Sequence, residues 1–231
     1  MSLANNTNEL NIIGSHIAHM KEEYGTQSGL IAQIKTVLQQ KASGEVPPSK
    51  LAGYIDGSLT EVTASDLEGA TKIRDYAFYN AQIISVELPN SIISIGQNTF
   101  SSCTMLKSLT IPDGVTSLGN NTLSYCSKLT SLKLSDNLTS LGYYCLNGCT
   151  SLTTLTIPAT VKSCGNASLQ IGSSTNKATI TFLGTTPPSI SSDTFDKNKL
   201  NQIRVPKDYG DTYKSKTNWA KFADLIVESE T

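Results

Sequence analysis

Five cysteines and two histidines carry the strongest chemical potential in this 231-residue chain. Cys103, Cys126 and Cys149 recur every 23 residues. Zinc binding would need four converging cysteine or histidine ligands, usually announced by a C-x-x-C pair. The chain has no such pair, and His16 and His19 both fall within the first 20 residues. A Ser–His–Asp or Cys–His site would need one of those imidazoles beside a distant nucleophile. The even spacing fits a stack of thiols, one per repeat. Adjacent members of such a stack fall within disulfide range. Cysteine also packs readily as a small hydrophobe, and a reduced structural ladder is the expectation. No glycine-rich phosphate loop is present. The chain is therefore expected to be non-enzymatic, with no cofactor and no metal.

The elements that position these thiols repeat at the same spacing. Ile95, Leu118, Leu141 and Cys164 share a column, followed by Gly96, Gly119, Gly142 and Gly165. Leu106, Leu129 and Leu152 form another, as do Leu109, Leu132 and Leu155, then Ile111, Leu134 and Ile157. Pro89, Pro112 and Pro158 align, with Ser135 in the remaining place. A fixed period of roughly 20–29 residues carrying L-x-x-L-x-L marks a leucine-rich-repeat solenoid. Segments such as "LTSLKL" and "LTTLTI" alternate apolar and polar residues, as strands do. Short strands are expected at 86–88, 109–111, 132–134, 155–157, 180–182 and 203–205, with 60–63 at the front edge. Proline ends each strand because it lacks a ladder donor, and the glycine column is expected to permit a tight turn. The expected fold is a solenoid with a short-stranded parallel β-sheet and an irregular or helical convex side. A helical rear cap built on Tyr213, Trp219, Phe222 and Ile226 is expected to close it.

"SLTIPDGVTSLGNNTLSYCSKL" and "SLTTLTIPATV" resemble the BspA-like leucine-rich-repeat family, whose repeats run as "sIGxxAFxxCxxLxxvxiPxxv". The likeness covers residues 60–205 and extends to the "VPKDYGDTYKSKTNWAKFADLI" tail. It departs from the pattern where Leu123 and Leu146 stand for the usual Phe. The resemblance implies the solenoid fold and a surface-exposed, adhesive or host-interacting role; similar repeats also occur in bacteriophage structural proteins.

A solenoid of this kind offers two places to bind. On the expected concave face, outward strand residues form one file of Ser85, Ser108, Ser131, Thr154, Thr179 and Gln202. A second file holds Glu87, Thr110, Lys133, Thr156, Thr181 and Arg204. Both are polar and free of aromatics, and a plain solvated sheet face explains them equally well. The alternative is the convex or turn side, where Tyr76, Tyr79, Tyr125, Tyr143 and Tyr144 fall. Tyrosine joins a large rigid surface to a polar tip and is enriched at interfaces.

The front of the chain has a different period. Leu10, Ile13, Ile17, Met20, Tyr24, Ile31, Ile34 and Leu38 advance in heptad steps, with Gln27 in the same register. Isoleucine at both a and d sites favours trimers or tetramers over dimers. A homo-oligomer, a trimer by preference, held by residues 8–41 is the expectation. Gly25, Ser28 and Gly29 interrupt the run and favour the competing reading, a hairpin folded back as a cap. The expected divisions are a helical oligomerisation or attachment segment at 1–46, a linker and front cap at 47–70, the solenoid at 71–209 and a C-terminal cap at 210–231.

A net charge of −1 leaves no basic footprint for nucleic acid. No apolar run reaches the roughly 18 residues of a membrane span, so no membrane insertion is expected. "MSLANNTNELN" lacks the features of a signal peptide. Together these point to a recognition or structural protein whose partner is a protein or a cell-surface glycan. The favoured setting is a phage virion, as a fibre or tail-associated component made in the cytoplasm. The rival setting is a bacterial cell surface, as an adhesin whose leader is missing from this sequence.

Overall fold

A strand with one inward aliphatic residue cannot hold itself, so each must be completed by its neighbours in the stack. The computed structural model describes residues 57–230 and shows how this is done. One side of the stack carries β1 (Glu61–Val62), β3 (Ser85–Val86), β5 (Ser108–Thr110) and β7 (Ser131–Lys133), paired in parallel in that order. The same side continues with β9 (Thr154–Ile157), β11 (Ala178–Phe182), β13 (Leu200–Val205) and β14 (Ile226–Glu228), again parallel. No ladder joins β7 to β9, so this face is two four-stranded sheets meeting at a seam.

The opposite side differs from expectation. It is neither irregular nor helical but a second parallel sheet of six two-residue strands. These are β2 (Lys72–Ile73), β4 (Ser94–Ile95), β6 (Ser117–Leu118), β8 (Ser140–Leu141), β10 (Ser163–Cys164) and β12 (Ser189–Ile190). The turns between the two faces are also stitched coil to coil. Phe78, Phe100, Leu123 and Leu146 each donate their N–H to the carbonyl of Thr99, Thr122, Cys145 and Ser168 on the next coil, at 2.8 to 3.0 Å. Away from the β7–β9 seam, stacking therefore pairs the backbone on both faces and at the corners, as a buried chain requires.

The glycine column does a different job from the one expected. Gly142 and Gly165 lie outside the positive-φ region. A Cβ on Gly142 would stand 2.6 Å from the carbonyl carbon of Gly119, and one on Gly165 would stand 2.8 Å from that of Gly142. The column lets successive coils approach closely; it does not serve left-handed turns.

One continuous core runs through the stack. Phe78 and Phe100 stack with centroids 5.4 Å apart, and Leu123, Leu146 and Leu169 continue their column, all fully buried. Leu109 and Leu155 are 3% exposed, but Leu132 between them is only partly buried because it borders the seam. The expectation of a uniform Leu109–Leu132–Leu155 column is corrected to that extent. At the rear, α1 (Gly210–Ser215) and a 3₁₀ turn over Ala220–Leu225 bring aromatic rings onto the last coils. Trp219 packs edge-on to Phe182 at 5.1 Å and to Tyr213 at 4.9 Å. Its Nε1 donates to the Pro188 carbonyl at 2.9 Å, and Tyr213 OH donates to that of Gly184 at 2.7 Å. Ile226 departs from the expected helical end: it begins β14 and extends the sheet beside Ile203.

Candidate functional site

All five thiols are free and buried. The 23-residue cysteine ladder forms as expected, and a hydrogen bond fixes each rung. Cys103 Sγ donates to the Phe78 carbonyl at 2.9 Å, Cys126 to that of Phe100 at 3.1 Å and Cys149 to that of Leu123 at 3.2 Å. Burial pushes the Cys149 and Cys164 thiols up to about 12, and those of Cys103, Cys126 and Cys145 well above their ordinary value. A thiol held protonated in an apolar stack is inert as a nucleophile. Among the described residues no group of histidine, cysteine and carboxylate side chains could hold a metal ion. His16 and His19 lie outside those residues.

The long-strand face presents its files in two blocks. Thr110 stands opposite Lys133, and Thr156 opposite Thr181 opposite Arg204. Glu87 follows β3, where its N–H donates to the Val62 carbonyl at 2.8 Å. Ser85, Ser108 and Ser131 pair in one block; Thr154, Thr179 and Gln202 pair in the other. The seam falls between Lys133 and Thr156, so each file of six is divided into threes. A hollow of about 310 Å³ opens there, lined in part by Leu132, Lys133, Asp136, Thr156 and Leu183. With its amide oxygen turned toward Arg204, Gln202 accepts from Nε at 2.7 Å and Nη2 at 2.8 Å.

The five tyrosines separate into two groups. Tyr76 and Tyr79 pack edge to face at 5.9 Å and are half-buried. Tyr125, Tyr143 and Tyr144 stand out, 58%, 57% and 45% exposed. Two of these sit in an unusual backbone state. Coils have left-handed positions at their corners, held in one column by Tyr76, Asn98, Asn121, Tyr144 and Ala167 and in another by Asn80, Ser102, Tyr125 and Gly148. Asn and Gly tolerate this conformation; a bulky side chain does so at a cost. Tyr125 (φ 58°) and Tyr144 (φ 56°) occupy it nonetheless.

A further file went unnoticed in the sequence. Ser94, Ser117, Ser140, Ser163 and Ser189 run along the outside of the short-strand sheet, in register where paired. Its signal was present in "ISIG", "TSLG", "TSLG" and "KSCG", a serine one residue ahead of each inward column. The heptad residues Leu10, Ile13, Ile17, Met20, Tyr24, Ile31, Ile34 and Leu38 lie outside the described residues. Among the described residues no helix is long and apolar enough to cross a membrane.

A family model described as the BspA type leucine rich repeat region matches residues 71–201 in six copies. Among solved structures, the Treponema pallidum leucine-rich-repeat protein TpLRR is 25% identical, with 52% of this chain and 57% of that one covered and a TM-score of 0.45. A leucine-rich-repeat protein from Bacteroides ovatus is 19% identical, covering 75% and 54%, with a TM-score of 0.46. A leucine rich cell surface protein from Faecalibacterium prausnitzii is 17% identical, covering 74% and 64%, with a TM-score of 0.33. The chain thus spans between 54% and 64% of the lengths of these proteins. No curated protein matches it.

Proposed function

The chain belongs to the BspA-type leucine-rich-repeat family, and on that footing we propose that it is a non-enzymatic recognition protein displayed at a surface. Leucine-rich repeats generally serve protein binding, and this stack has the inert, fully buried thiols of a scaffold. One observation carries the reading. Tyr125 and Tyr144 hold large exposed rings at left-handed positions, where the same columns elsewhere carry mostly small or amide residues (Asn80, Asn98, Ser102, Asn121, Gly148, Ala167) and one half-buried ring, Tyr76. A bulky ring kept about half exposed at a costly backbone position is the kind of residue a contact surface uses. With Tyr143 they make the corner side the proposed contact face for a protein or cell-surface glycan.

The long-strand face is the second reading, favoured by the seam hollow beside Lys133 and by the oriented guanidinium of Arg204. Beads coated with the chain separate the two readings in an attachment assay on bacterial and host cells. Changing Tyr125, Tyr143 and Tyr144 together to serine is expected to abolish attachment. Charge reversal at Lys133 and Arg204 is expected to leave it intact; the opposite pattern moves the contact to the long-strand face.

Two further elements belong to the same proposal. We propose further that residues 8–41, which lie outside the described residues, hold the chain together as a trimer, tested by sedimentation of the full chain against a chain starting at Pro47. A full-length monomer at tens of micromolar rejects it. Display is on a virion or a bacterial surface. Mass spectrometry of purified particles, set against protease shaving of intact cells, assigns which.

A further inference from the structure

We infer that a groove beside Tyr143 on the short-strand face is a binding site for a neutral saccharide. The inference rests on the recognition role proposed above and gives it a ligand class. The groove is a shallow, open depression of about 520 Å³ over the outer ends of β8, β10 and β12. That is within the roughly 300–1,000 Å³ of small-molecule sites. Its polar wall comes from Asn120, Ser163, Asn166, Ser191 and Asn218, with Tyr143 as the aromatic, and no charged side chain lines it.

Tyr143 is out of character with its column. The same place on neighbouring coils holds Asp75, Gln97, Asn120 and Asn166, all polar and non-aromatic. The ring is 57% exposed and is flanked by a carboxamide on the coil before and the coil after.

Those carboxamides are held in fixed orientations. Asn120 Oδ1 accepts from the Tyr143 N–H at 2.9 Å, and Asn166 Oδ1 accepts from Ser191 Oγ at 3.2 Å. Asn218 Nδ2 donates to the Ile190 carbonyl at 2.7 Å. Each bond uses one end of the amide. The Nδ2 groups of Asn120 and Asn166 and the Oδ1 of Asn218 have no hydrogen-bond partner among the described residues. The groove therefore offers fixed donors and an acceptor beside an aromatic face.

A pyranose ring is the complement of that arrangement. Its C–H face is apolar and covers an aromatic ring, while its hydroxyl rim both donates and accepts, as carboxamides and serines require. A charged ligand would enter without a counter-charge and lose hydration it could not replace.

The test is a glycan array holding neutral hexose and N-acetylhexosamine oligosaccharides beside sialylated and sulfated ones, followed by titration of the strongest neutral hit. Neutral glycans are expected to bind the full chain. Affinity is expected to fall at least tenfold in Tyr143→Ser and in Asn166→Ala, to recover in Tyr143→Phe and to hold in Lys177→Glu. Thermal melts confirm that each variant is folded. Binding only to acidic glycans, to none, or with no response to Tyr143→Ser overturns the site. If the chain still attaches to cells while the groove fails, the recognition role stands without a saccharide; if neither cells nor glycans bind, both fall.

Discussion

The thiol of Cys126 donates a hydrogen bond to the carbonyl of Phe100, 26 residues back and one coil away, at 3.1 Å. Cys103 and Cys149 make the equivalent bond, each to the coil before its own. The interior thus contains a polar ladder that is satisfied only while every thiol keeps its proton.

Alkali should therefore loosen the stack. The folded thiols titrate far above the roughly 8.5 of an unfolded cysteine, so above that pH the unfolded chain binds fewer protons than the folded one. Their contribution is complete below about pH 8.5 and is lost as pH rises toward the folded values. Urea melts at pH 7.5 and 9.5 should differ by about 1 kcal/mol per thiol. Equal midpoints in the wild type would remove the buried ladder. Replacing Cys103, Cys126 and Cys149 with alanine should flatten most of the dependence.

Neighbouring leucines in one column should not be equivalent. Leu155→Ala is expected to cost about 2–5 kcal/mol, in the range of core truncations. Leu132→Ala, at the seam, is expected to cost less than about 1.5 kcal/mol. Chemical denaturation of the two variants side by side decides the matter, and equal losses would mean that the seam is closed in solution.

Gly142→Ala is expected to destabilise by at least about 2 kcal/mol, because its Cβ would press on the backbone of the preceding coil. Gly69→Ala is the useful contrast: it has open space around it but a φ of +78°, so only the backbone strain of about 1–2 kcal/mol applies. Thermal melts that rank Gly69→Ala as the more damaging would contradict the close-approach role of the glycine column.

Tyr144→Asn should separate stability from recognition. Asparagine suits the left-handed corner, as Asn98 and Asn121 show in the same column. Stability should rise by about 1 kcal/mol, while attachment of coated beads should fall at least tenfold. A variant that loses stability would show that the ring is a packing residue after all.

Much of this architecture could be read directly from the columns. Cys103, Cys126 and Cys149, the aliphatic columns and the substitution of Leu123 and Leu146 for phenylalanine all announce inward positions, because inward packing constrains side-chain type. The six-stranded sheet stayed hidden because each of its strands, such as Ser94–Ile95, has only one inward residue and looks like part of a turn. The role of the glycines is opaque for a related reason: a glycine that admits a neighbouring coil looks the same in sequence as one that turns the chain. Leu132 carries no trace of the seam, since its side chain obeys the repeat and only its strand partner is missing. Asn98, Asn121 and Gly148 hint at the left-handed corners, but Ser102, Tyr125, Tyr144 and Ala167 break the columns and conceal them. Tyr143 was visible as an aromatic, but its flanking amides became meaningful only when three coils were placed side by side.

The missing ladder between β7 and β9 gives the stack the mechanics of a book. The six-stranded sheet runs unbroken past that point and acts as the spine; on the other side the pages are free to part. Bending load concentrates there, because each of the other junctions between the coils of β1 to β12 has ladders on both faces. Between its front and rear halves the array therefore has one compliant joint, set by an absent set of backbone bonds, through which its curvature can adapt to the surface it meets.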